Sequence, residues 1–220
     1  MIKAVIFDFD MTLVDSSYAI TEGMNAIARA EGLRELTREE VLGLIGMPIE
    51  ESWEMIWGRF DEKWLTSYRN TFRESEYSNI NPFPNTAAIL EELTLKNIKT
   101  GIASNRAKVR EAVTAVGLMD FMDFAIGLED VENAKPSPDL VLLGVQLTGA
   151  DPSECLYVGD TEADMQSASA AGVRGVGMIT GNCTHDILKA AGAWKTLEDV
   201  KDLIEIIHEE ERETAQVKES

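Results

Sequence analysis

Residues 4–12 read Ala4-Val5-Ile6-Phe7-Asp8-Phe9-Asp10-Met11-Thr12, a short apolar run that ends directly in two carboxylates. A brief run rich in β-branched residues is typical of a buried strand. Ligands of open α/β sheets bind at the carboxyl ends of the strands. The sequence therefore predicts a strand over Ile2–Phe7 that carries Asp8 and Asp10 to a small site, where a cation or a reaction uses both acids.

Strand-like and helix-like segments alternate along most of the remaining chain. Further apolar runs with strand character lie at Lys99–Ala103, Phe121–Ile126, Cys155–Val158 and Gly175–Ile179. Amphipathic helical patterns between them cover Asn85–Leu95, Ala107–Val116, Pro138–Gln146 and Glu162–Ala171. Such alternation is typical of a parallel sheet with helices on both faces. We therefore predict an α/β fold with a doubly wound, mainly parallel, Rossmann-like core.

The interval from residue 16 to residue 81 has helical periodicity and no convincing strand. Three of the four tryptophans lie in it, and its apolar positions suit a small helical bundle. A proline-punctuated linker follows and ends at Asn85, the predicted N-cap of the next helix. We predict an α/β core formed by residues 1–15 and 82–208, an inserted helical cap over residues 16–81 that is well placed to act as a lid, and a charged, flexible tail over residues 209–220.

The charge balance excludes some partners. Lys and Arg number 20 against 39 Asp and Glu, which gives a net charge of −19. Such a protein repels phosphate backbones, so we expect no nucleic acid as a partner. No apolar run approaches the length of a membrane span, and the first apolar run is too short for a secretory signal. The sequence predicts a cytoplasmic protein without a membrane partner; it leaves monomer or homodimer undecided.

Three later segments resemble the first in placing polar residues after a strand or in a loop. Ser104-Asn105 offers a hydroxyl and an amide N–H to an anionic oxygen, and Lys135 is the kind of point charge that binds phosphate. Asp160, followed one helical turn later by Asp164, would complete an oxygen-rich cation site with Asp8 and Asp10. Taken singly, each has a plainer explanation: a helix start, a solvated lysine or an N-cap.

Together, and in this order, the four segments resemble the haloacid dehalogenase-like superfamily, in particular its phosphoglycolate phosphatase-like branch with a helical cap of the C1 type. The resemblance covers the chain to about residue 207. It implies a phosphatase in which Asp8 attacks phosphorus and forms an aspartyl-phosphate. It implies that Asp10 protonates the leaving oxygen and then deprotonates the hydrolytic water. The implied substrate is a small phosphorylated metabolite, with phosphoglycolate named by resemblance alone.

The resemblance also implies a Mg²⁺ cofactor, because a few carboxylates with water and phosphate are the ligands that Mg²⁺ prefers. The metal ligands would be Asp8, the backbone carbonyl of Asp10, Asp160 and, directly or in support, Asp164. The transferring phosphoryl group would be held by residues that offer an N–H, a hydroxyl or an ammonium group: Met11, Thr12, Ser104, Asn105 and Lys135.

Met11 departs from the family pattern, which has glycine at this position. Methionine is strained there if the position needs a positive φ, and it serves equally well if only a backbone N–H is required. Because the side chain is bulky, we expect Met11 to shape access to the site.

Other functions remain open at this stage. A 2-haloacid dehalogenase needs neither Asp10 nor the metal-binding acids, and a phosphonate hydrolase would need a cap lysine, for which Lys63 is the sole candidate. A sugar phosphomutase with the same aspartyl-phosphate chemistry is the main alternative. A non-catalytic descendant that binds phosphate compounds or a protein is another. Seven arginines are candidates for a contact with an anionic substrate: Arg29, Arg34, Arg38, Arg59, Arg69, Arg73 and Arg106.

Overall fold

The first strand lies in the middle of a six-stranded sheet because both of its faces are apolar. A computed structural model describes residues 1–71 and 77–219, with side chains for residues 1–68 and 77–212. Its strands are β1 (Ala4–Phe7), β2 (Val14–Asp15), β3 (Asn81–Pro82), β4 (Lys99–Ala103), β5 (Phe124–Ile126), β6 (Cys155–Gly159), β7 (Arg174–Met178) and β8 (Lys195–Leu197). The main sheet has the order β5-β4-β1-β6-β7-β8, and all its paired strands are parallel.

The helices alternate with these strands, as the sequence predicts. They are α1 (Ser17–Glu31), α2 (Arg38–Leu42), α3 (Ile49–Trp57), α4 (Glu62–Thr71), α5 (Thr86–Leu95), α6 (Val109–Ala115), α7 (Asp139–Thr148), α8 (Glu162–Ala170), α9 (His185–Ala190) and α10 (Leu203–Glu219). None of the described helices combines the length and the apolar character needed to cross a membrane.

Two apolar layers cover the sheet. Val5 and Phe7 of β1 belong to one buried cluster, which includes apolar residues of α5, α6 and α10. Ala4 and Ile6 face the opposite way and pack in a second cluster with apolar residues of α7 and α8. Alternate residues of a strand point to opposite faces, so a continuous apolar run is what a strand between two helical layers requires. The predicted doubly wound α/β core is confirmed.

The sheet changes direction at β1. The chain runs outward through β4 and β5 on one side, then crosses back to build β6, β7 and β8 on the other. Ligands of doubly wound folds bind in the crevice at this reversal, beyond the carboxyl ends of the strands. The topology therefore places the residues after β1, β4 and β6 side by side.

Residues 17–71 supply the helices α1 to α4, which share a hydrophobic cluster of their own. Trp53 is fully buried at its centre, with the rings of Trp57, Phe60, Trp64 and Tyr68 at centroid distances of 5.8 to 6.1 Å. These helices are hereafter called the cap. The cap boundaries at residues 16 and 81 stay predictions of the sequence.

A short antiparallel ladder joins the two chain segments that lead into and out of the cap. β2 pairs with β3, so Val14 lies opposite Pro82 and Asp15 opposite Asn81. The sequence analysis missed this ladder because two-residue strands leave no periodic pattern. Asn85 precedes α5 as predicted, but its side chain donates to Asp199 at 2.8 Å instead of capping the helix.

Two further elements differ from expectation. β8 was not predicted, because all three of its residues are only half-buried at the edge of the sheet and lack an apolar run. α10 continues to Glu219. The predicted flexibility of residues 209–220 stays a prediction, and Ser220 lies outside the described residues.

Candidate active site

Three neighbouring inner strands are each followed, at their carboxyl ends, by a polar residue. Asp8 follows β1, Ser104 follows β4 and Asp160 follows β6, and these strands are adjacent in the order β4-β1-β6. Each of the three residues is buried, with at most 4% of its surface exposed. The parallel register therefore brings together residues that are far apart in sequence, such as Asp8 and Asp160, which are separated by 152 positions.

Three buried carboxylates form the centre of the site. Oxygen atoms of Asp8, Asp160 and Asp164 all lie within 4.8 Å of one another. Asp164 is held by a capping box at the start of α8: its N–H donates to the Thr161 hydroxyl, and its Oδ2 accepts from the Thr161 N–H at 3.0 Å. Asp160 is closely covered by Gly181, where a Cβ would come within 2.0 Å of the Asp160 Oδ2 atom. Only glycine fits at that position without displacing the carboxylate.

Lys135 extends its ammonium group into this acidic cluster. Its Nζ donates to Asp8 Oδ1 at 2.7 Å, to Asp164 Oδ1 at 2.6 Å and to the Tyr157 hydroxyl at 2.9 Å. The Asn105 side chain holds the lysine backbone from both sides, accepting from its N–H at 2.8 Å and donating to its carbonyl at 3.1 Å. Lys135 is thus a buried part of the site and no solvated surface lysine.

Tyr157 is a site residue that the sequence analysis missed. It lies in β6, is fully buried, and donates its hydroxyl proton to the Ala103 carbonyl at 2.7 Å while accepting from Lys135. Burial raises the pKa of this hydroxyl well above its usual value, so it remains a neutral donor and acceptor. The phenolic oxygen of Tyr157, the one polar side-chain atom in an otherwise apolar strand, was the feature of the sequence that could have indicated this role.

Burial and mutual repulsion set the pKa values of the cluster. Burial, partly offset by Lys135, raises the pKa of Asp8 to about 6. Burial, followed by the charges of Asp164 and Asp8, raises the pKa of Asp160 well above its usual value. Burial alone would lower the pKa of Lys135, but Asp164 and Asp8 outweigh it and raise that pKa. Three carboxylates against one ammonium carry a net charge of −2 when all are ionised, so the cluster favours a divalent cation.

Asp10 forms an ion pair with Arg106, which the sequence analysis names as a candidate substrate contact. Arg106 donates to Asp10 Oδ2 through Nε and to Oδ1 through Nη2, both at 2.7 Å. The pair is largely buried, with 12% and 10% of the two side chains exposed. Burial raises the pKa of Asp10, but the charge and hydrogen bonds of Arg106 outweigh burial and lower it overall. This bidentate pair holds Asp10 as a carboxylate.

Two residues predicted to bind phosphate have other roles. Thr12 is fully buried and donates its hydroxyl proton to Asp160 Oδ1 at 3.0 Å, so it orients a carboxylate and has no proton left for a phosphate oxygen. The Met11 N–H donates to the Val14 carbonyl at 2.8 Å, which argues against its use for phosphate. These hydrogen bonds give the two residues structural partners, and their predicted role in phosphate binding stays a prediction.

The Met11 backbone has a φ of 59°, in the left-handed region that favours glycine. Its side chain is 2% exposed and is not among the residues that line the cavity next to Asp10. This burial gives no support to the expectation that Met11 shapes access to the site, and that expectation stays a prediction.

A cavity of about 160 Å³ lies between the cap and the sheet edge. Its floor includes Asp8, Asp10, Ser104, Asn105 and Arg106, and its roof is formed by residues of the cap. Ser104 and Asn105, both predicted to bind phosphate, thus face the same space as the two acids that follow β1.

The four cap arginines whose side chains the structure describes do not line the cavity. Arg29 and Arg34 form exposed ion pairs with Glu35 and Glu40. Arg38 pairs with Asp15, and Arg59 stacks over Trp64 at 4.9 Å from the ring centroid. The side chains of Arg69 and Arg73 are outside the described residues.

The cap touches the core at Gly46. The Asn105 amide donates to the Gly46 carbonyl at 2.9 Å, so the side chain that holds Lys135 also holds the cap loop. Gly46 has a φ of +99°, and a Cβ on it would lie 2.9 Å from the Thr161 methyl group. A glycine is needed here for both reasons.

The fold and the site together define a class of protein. A doubly wound sheet carries, at its direction reversal, a carboxylate pair, a buried lysine and a second carboxylate pair, all beneath a helical cap. Oxygen donors of Asp8, Asp160 and Asp164 suit a hard divalent cation such as Mg²⁺, because their repulsion needs compensation and their atoms lie within one coordination sphere. This is the architecture of a capped hydrolase whose site is built from carboxylate side chains.

The chain belongs to the haloacid dehalogenase-like hydrolase family, whose model matches residues 5–178. It is 28% identical over 208 residues to the pyrophosphatase PpaX of Oceanobacillus iheyensis, covering 94% of this chain and 97% of the relative. It is 27% identical over 175 residues to a phosphoglycolate phosphatase of Aquifex aeolicus, covering 78% and 82% of the two chains.

Solved structures agree with this family. A haloacid dehalogenase-like hydrolase from Bacteroides fragilis superposes with a TM-score of 0.83 at 30% identity, over 92% of this chain and 100% of that chain. A β-phosphoglucomutase from Clostridium difficile has a TM-score of 0.81 at 22% identity, over 98% and 99% of the two chains, which shows a common fold alone. The predicted family membership is confirmed.

Proposed function

We propose that the protein is a Mg²⁺-dependent phosphatase that hydrolyses a small phosphorylated metabolite through an aspartyl-phosphate on Asp8. The observation that carries this proposal is the buried cluster of Asp8, Asp160, Asp164 and Lys135 at the strand ends. It lies beneath a cavity that Asp8 and Asp10 both line. The names of the two curated relatives, a pyrophosphatase and a phosphoglycolate phosphatase, support phosphoryl-group hydrolysis.

Asp8 is the proposed nucleophile. One of its carboxylate oxygens attacks phosphorus, a bond to the ester oxygen breaks, and the leaving alcohol receives a proton from Asp10. In the second step Asp10 accepts a proton from water, the water oxygen attacks phosphorus, and inorganic phosphate leaves with Asp8 restored. The two steps consume one ester and one water, and they release one alcohol and one phosphate. Splitting the displacement in this way replaces one difficult step by two easier ones.

Asp10 has to be protonated for the first step and ionised for the second. Its bidentate pair with Arg106 favours the ionised form. We therefore expect the pair to loosen when substrate enters and to re-form as water is activated. Arg106 is a positioning group for Asp10 in this scheme.

Lys135 and the metal have a common electrostatic role. Asp8, Asp160 and the Asp10 carbonyl would hold Mg²⁺, with Asp164 supporting them through its contact with Lys135. When bound, the ion neutralises charge on the transferring phosphoryl group. Ser104 and the Asn105 N–H would hold the remaining oxygens of the phosphoryl group. Lys135 restrains the Asp8 oxygen that it contacts, leaving the other oxygen for attack.

We do not propose the phosphomutase alternative. A mutase has to hold a polar sugar while the phosphoryl group moves to a second hydroxyl, whereas the described cap presents mainly aliphatic side chains to the cavity. The proposal keeps the predicted partner, a small phosphorylated metabolite. It also keeps the prediction that neither nucleic acid nor a membrane is a partner.

The test is release of inorganic phosphate from a panel of small phosphate esters, with Mg²⁺ and with EDTA, for the native protein and for Asp8→Asn. We expect release that requires the metal and is lost in the variant. Retained activity in Asp8→Asn would contradict the covalent route. Lack of release from every ester, in protein shown by circular dichroism to be folded, would favour the non-catalytic descendant.

A further inference from the structure

The roof of the cavity is aliphatic. The cap residues that line it come from α1, the loop after α2, α3 and α4. The aliphatic members are Ile20, Met24, Leu44, Ile45, Met47, Ile49 and Leu65. Tyr68 and Ser52 add an aromatic ring and a hydroxyl, and both residues are at most 9% exposed. This surface would contact the portion of a substrate that leaves as the alcohol, because the phosphoryl group has to reach Asp8 on the floor.

Glu50 is the one carboxylate that the described portion of the cap contributes to the cavity lining. It lies in the first turn of α3, next to Ile49. Its carboxylate repels an anionic leaving group and contributes nothing to holding one. A carboxylate or phosphate in the leaving group would thus meet a like charge on an otherwise apolar wall.

Arg106 is the one cation among the described residues that line the cavity, and it is already engaged. Two hydrogen bonds of 2.7 Å join it to Asp10. An anionic leaving group could bind Arg106 only while the Arg106–Asp10 pair is loosened for the first step, so Arg106 is shared between the leaving group and Asp10. Moving an anion from water into an apolar site without a partner is costly. The described cap wall, which is mainly aliphatic and carries the carboxylate of Glu50, therefore disfavours an anionic alcohol.

We propose that the substrate is a phosphate monoester of a small, uncharged and largely apolar alcohol, and that Glu50 excludes anionic leaving groups. The inference rests on the proposed phosphatase function and narrows its substrate. It differs from the substrates in the names of the two curated relatives and from the sequence-based expectation of phosphoglycolate. The cavity of about 160 Å³ beneath the cap is the space in which the alcohol would meet these aliphatic side chains.

The first arm of the test compares isobutyl phosphate with phosphoglycolate. The two esters have nearly the same shape, because an isopropyl group in one replaces the carboxylate in the other. Glycolate is also the better leaving group, so intrinsic reactivity works against the proposal. We expect kcat/KM to be at least about tenfold higher for isobutyl phosphate, a factor that corresponds to about 1.4 kcal/mol. A preference for phosphoglycolate or for inorganic pyrophosphate would overturn the proposal.

The second arm lengthens the apolar chain of the alcohol by single methylene groups, from methyl to butyl phosphate. The leaving alcohols have closely similar acidity, so burial is the variable that changes. Because each buried methylene is worth about 0.8 kcal/mol, we expect kcat/KM to rise about three- to fourfold per methylene until the cavity is full. A flat series would show that the aliphatic roof does not contact the alcohol, and the proposal would be overturned.

Glu50→Gln removes the cap carboxylate, and Glu51→Gln is its matched control. Glu51 lies on the same helix, is exposed and does not line the cavity, so both variants change the net charge by the same amount. We expect Glu50→Gln to reduce the preference for isobutyl phosphate over phosphoglycolate about tenfold, and Glu51→Gln to leave the preference within about twofold. Equal effects of the two variants would overturn the role assigned to Glu50.

Failure of this inference and failure of the proposed function give different results. Hydrolysis of anionic esters in preference to neutral ones would keep the phosphatase and overturn the substrate class. Lack of hydrolysis of any ester by folded native protein would overturn both. If Glu50→Gln fails to fold, the two arms on native protein still decide the matter.

Discussion

The core and the cap bury different kinds of side chain, although both are closely packed. The core places Asp8, Asp10, Asp160 and Asp164 at the sheet edge with Lys135 as a buried counter-charge, each at most 7% exposed. The cap buries aromatic rings around Trp53 and carries exposed ion pairs such as Arg29–Glu35 and Arg34–Glu40. The difference assigns chemistry to the core and shape selection to the cap. Variants of the two regions should therefore fail in different ways.

Lys135→Met should cause the largest loss. Removing the ammonium group leaves three carboxylates in a buried cluster without their counter-charge, which costs about 3 to 5 kcal/mol. We expect turnover to fall about 10³-fold and the urea-unfolding free energy in EDTA at pH 7 to fall by about 3 kcal/mol. Lys99→Met removes an exposed lysine from an ion pair with Asp123 and should cost less than about 1 kcal/mol. Equal effects of the two variants would contradict the account of the core.

Trp53→Ala should destabilise the cap while leaving the strand ends in place. The ring is fully buried among four other aromatic rings, and its removal should cost about 3 to 5 kcal/mol of cap stability. In hydrogen exchange we expect faster exchange in α1, α3 and α4, with protection retained in β1, β4 and β6. Loss of protection throughout the sheet would show that cap and core unfold as one unit.

The stability of metal-free protein should fall as pH rises from about 4 to 7. Asp8 has a pKa of about 6 when folded against an ordinary value of 3.8. Between these values the folded state binds more protons than the unfolded state, so the free energy of unfolding decreases with pH. The difference is worth at most about 3 kcal/mol. Asp160, whose pKa is also raised, acts in the same direction.

Mg²⁺ should reverse this pH dependence, because metal binding requires ionised carboxylates. Thermal unfolding at pH 5 and pH 7, with Mg²⁺ and with EDTA, measures both trends. The stabilisation by Mg²⁺ should be larger at pH 7, and Asp160→Asn should reduce it. Equal stabilisation at both pH values would argue against these acids as the metal ligands.

Met11→Gly should have the smallest effect, on stability alone. Glycine relieves the cost of a φ of 59° but removes a buried side chain, so the two contributions partly cancel. We expect a net loss of about 1 kcal/mol and an unchanged ranking of ester substrates, measured by urea unfolding and by the same ester panel. A changed ranking of the ester substrates would show that Met11 influences substrate access to the site.

The sequence predicted those features of the fold and the site that depend on local pattern. Continuous apolar runs identified the central strands β1, β4 and β6, and the polar residues after them identified Asp8, Ser104 and Asp160. Apolar runs fail as a guide at the sheet edge, where β8 is half-buried, and at β2 and β3, which have two residues each.

The remaining site residues depend on contacts between distant segments of the chain. Arg106 meets Asp10 across 96 positions, and Tyr157 meets Ala103 across 54. The family resemblance assigns Thr12 to phosphate, whereas its hydroxyl partner in the structure, Asp160, lies 148 positions away. The sequence shows which functional groups such residues carry. Their hydrogen-bond partners depend on the order of the strands in the sheet, which the sequence does not show directly.

The most direct test of the central claim is to look for the phosphoryl group on Asp8. Native protein and Asp10→Asn would be mixed with Mg²⁺ and phenyl phosphate, quenched in acid and digested for mass spectrometry. We predict that the peptide containing Asp8 gains the mass of one phosphoryl group, with more of it in Asp10→Asn because the water-activating group is missing, and with none in Asp8→Asn. Continued turnover by native protein without phosphoryl transfer to Asp8 would contradict the account.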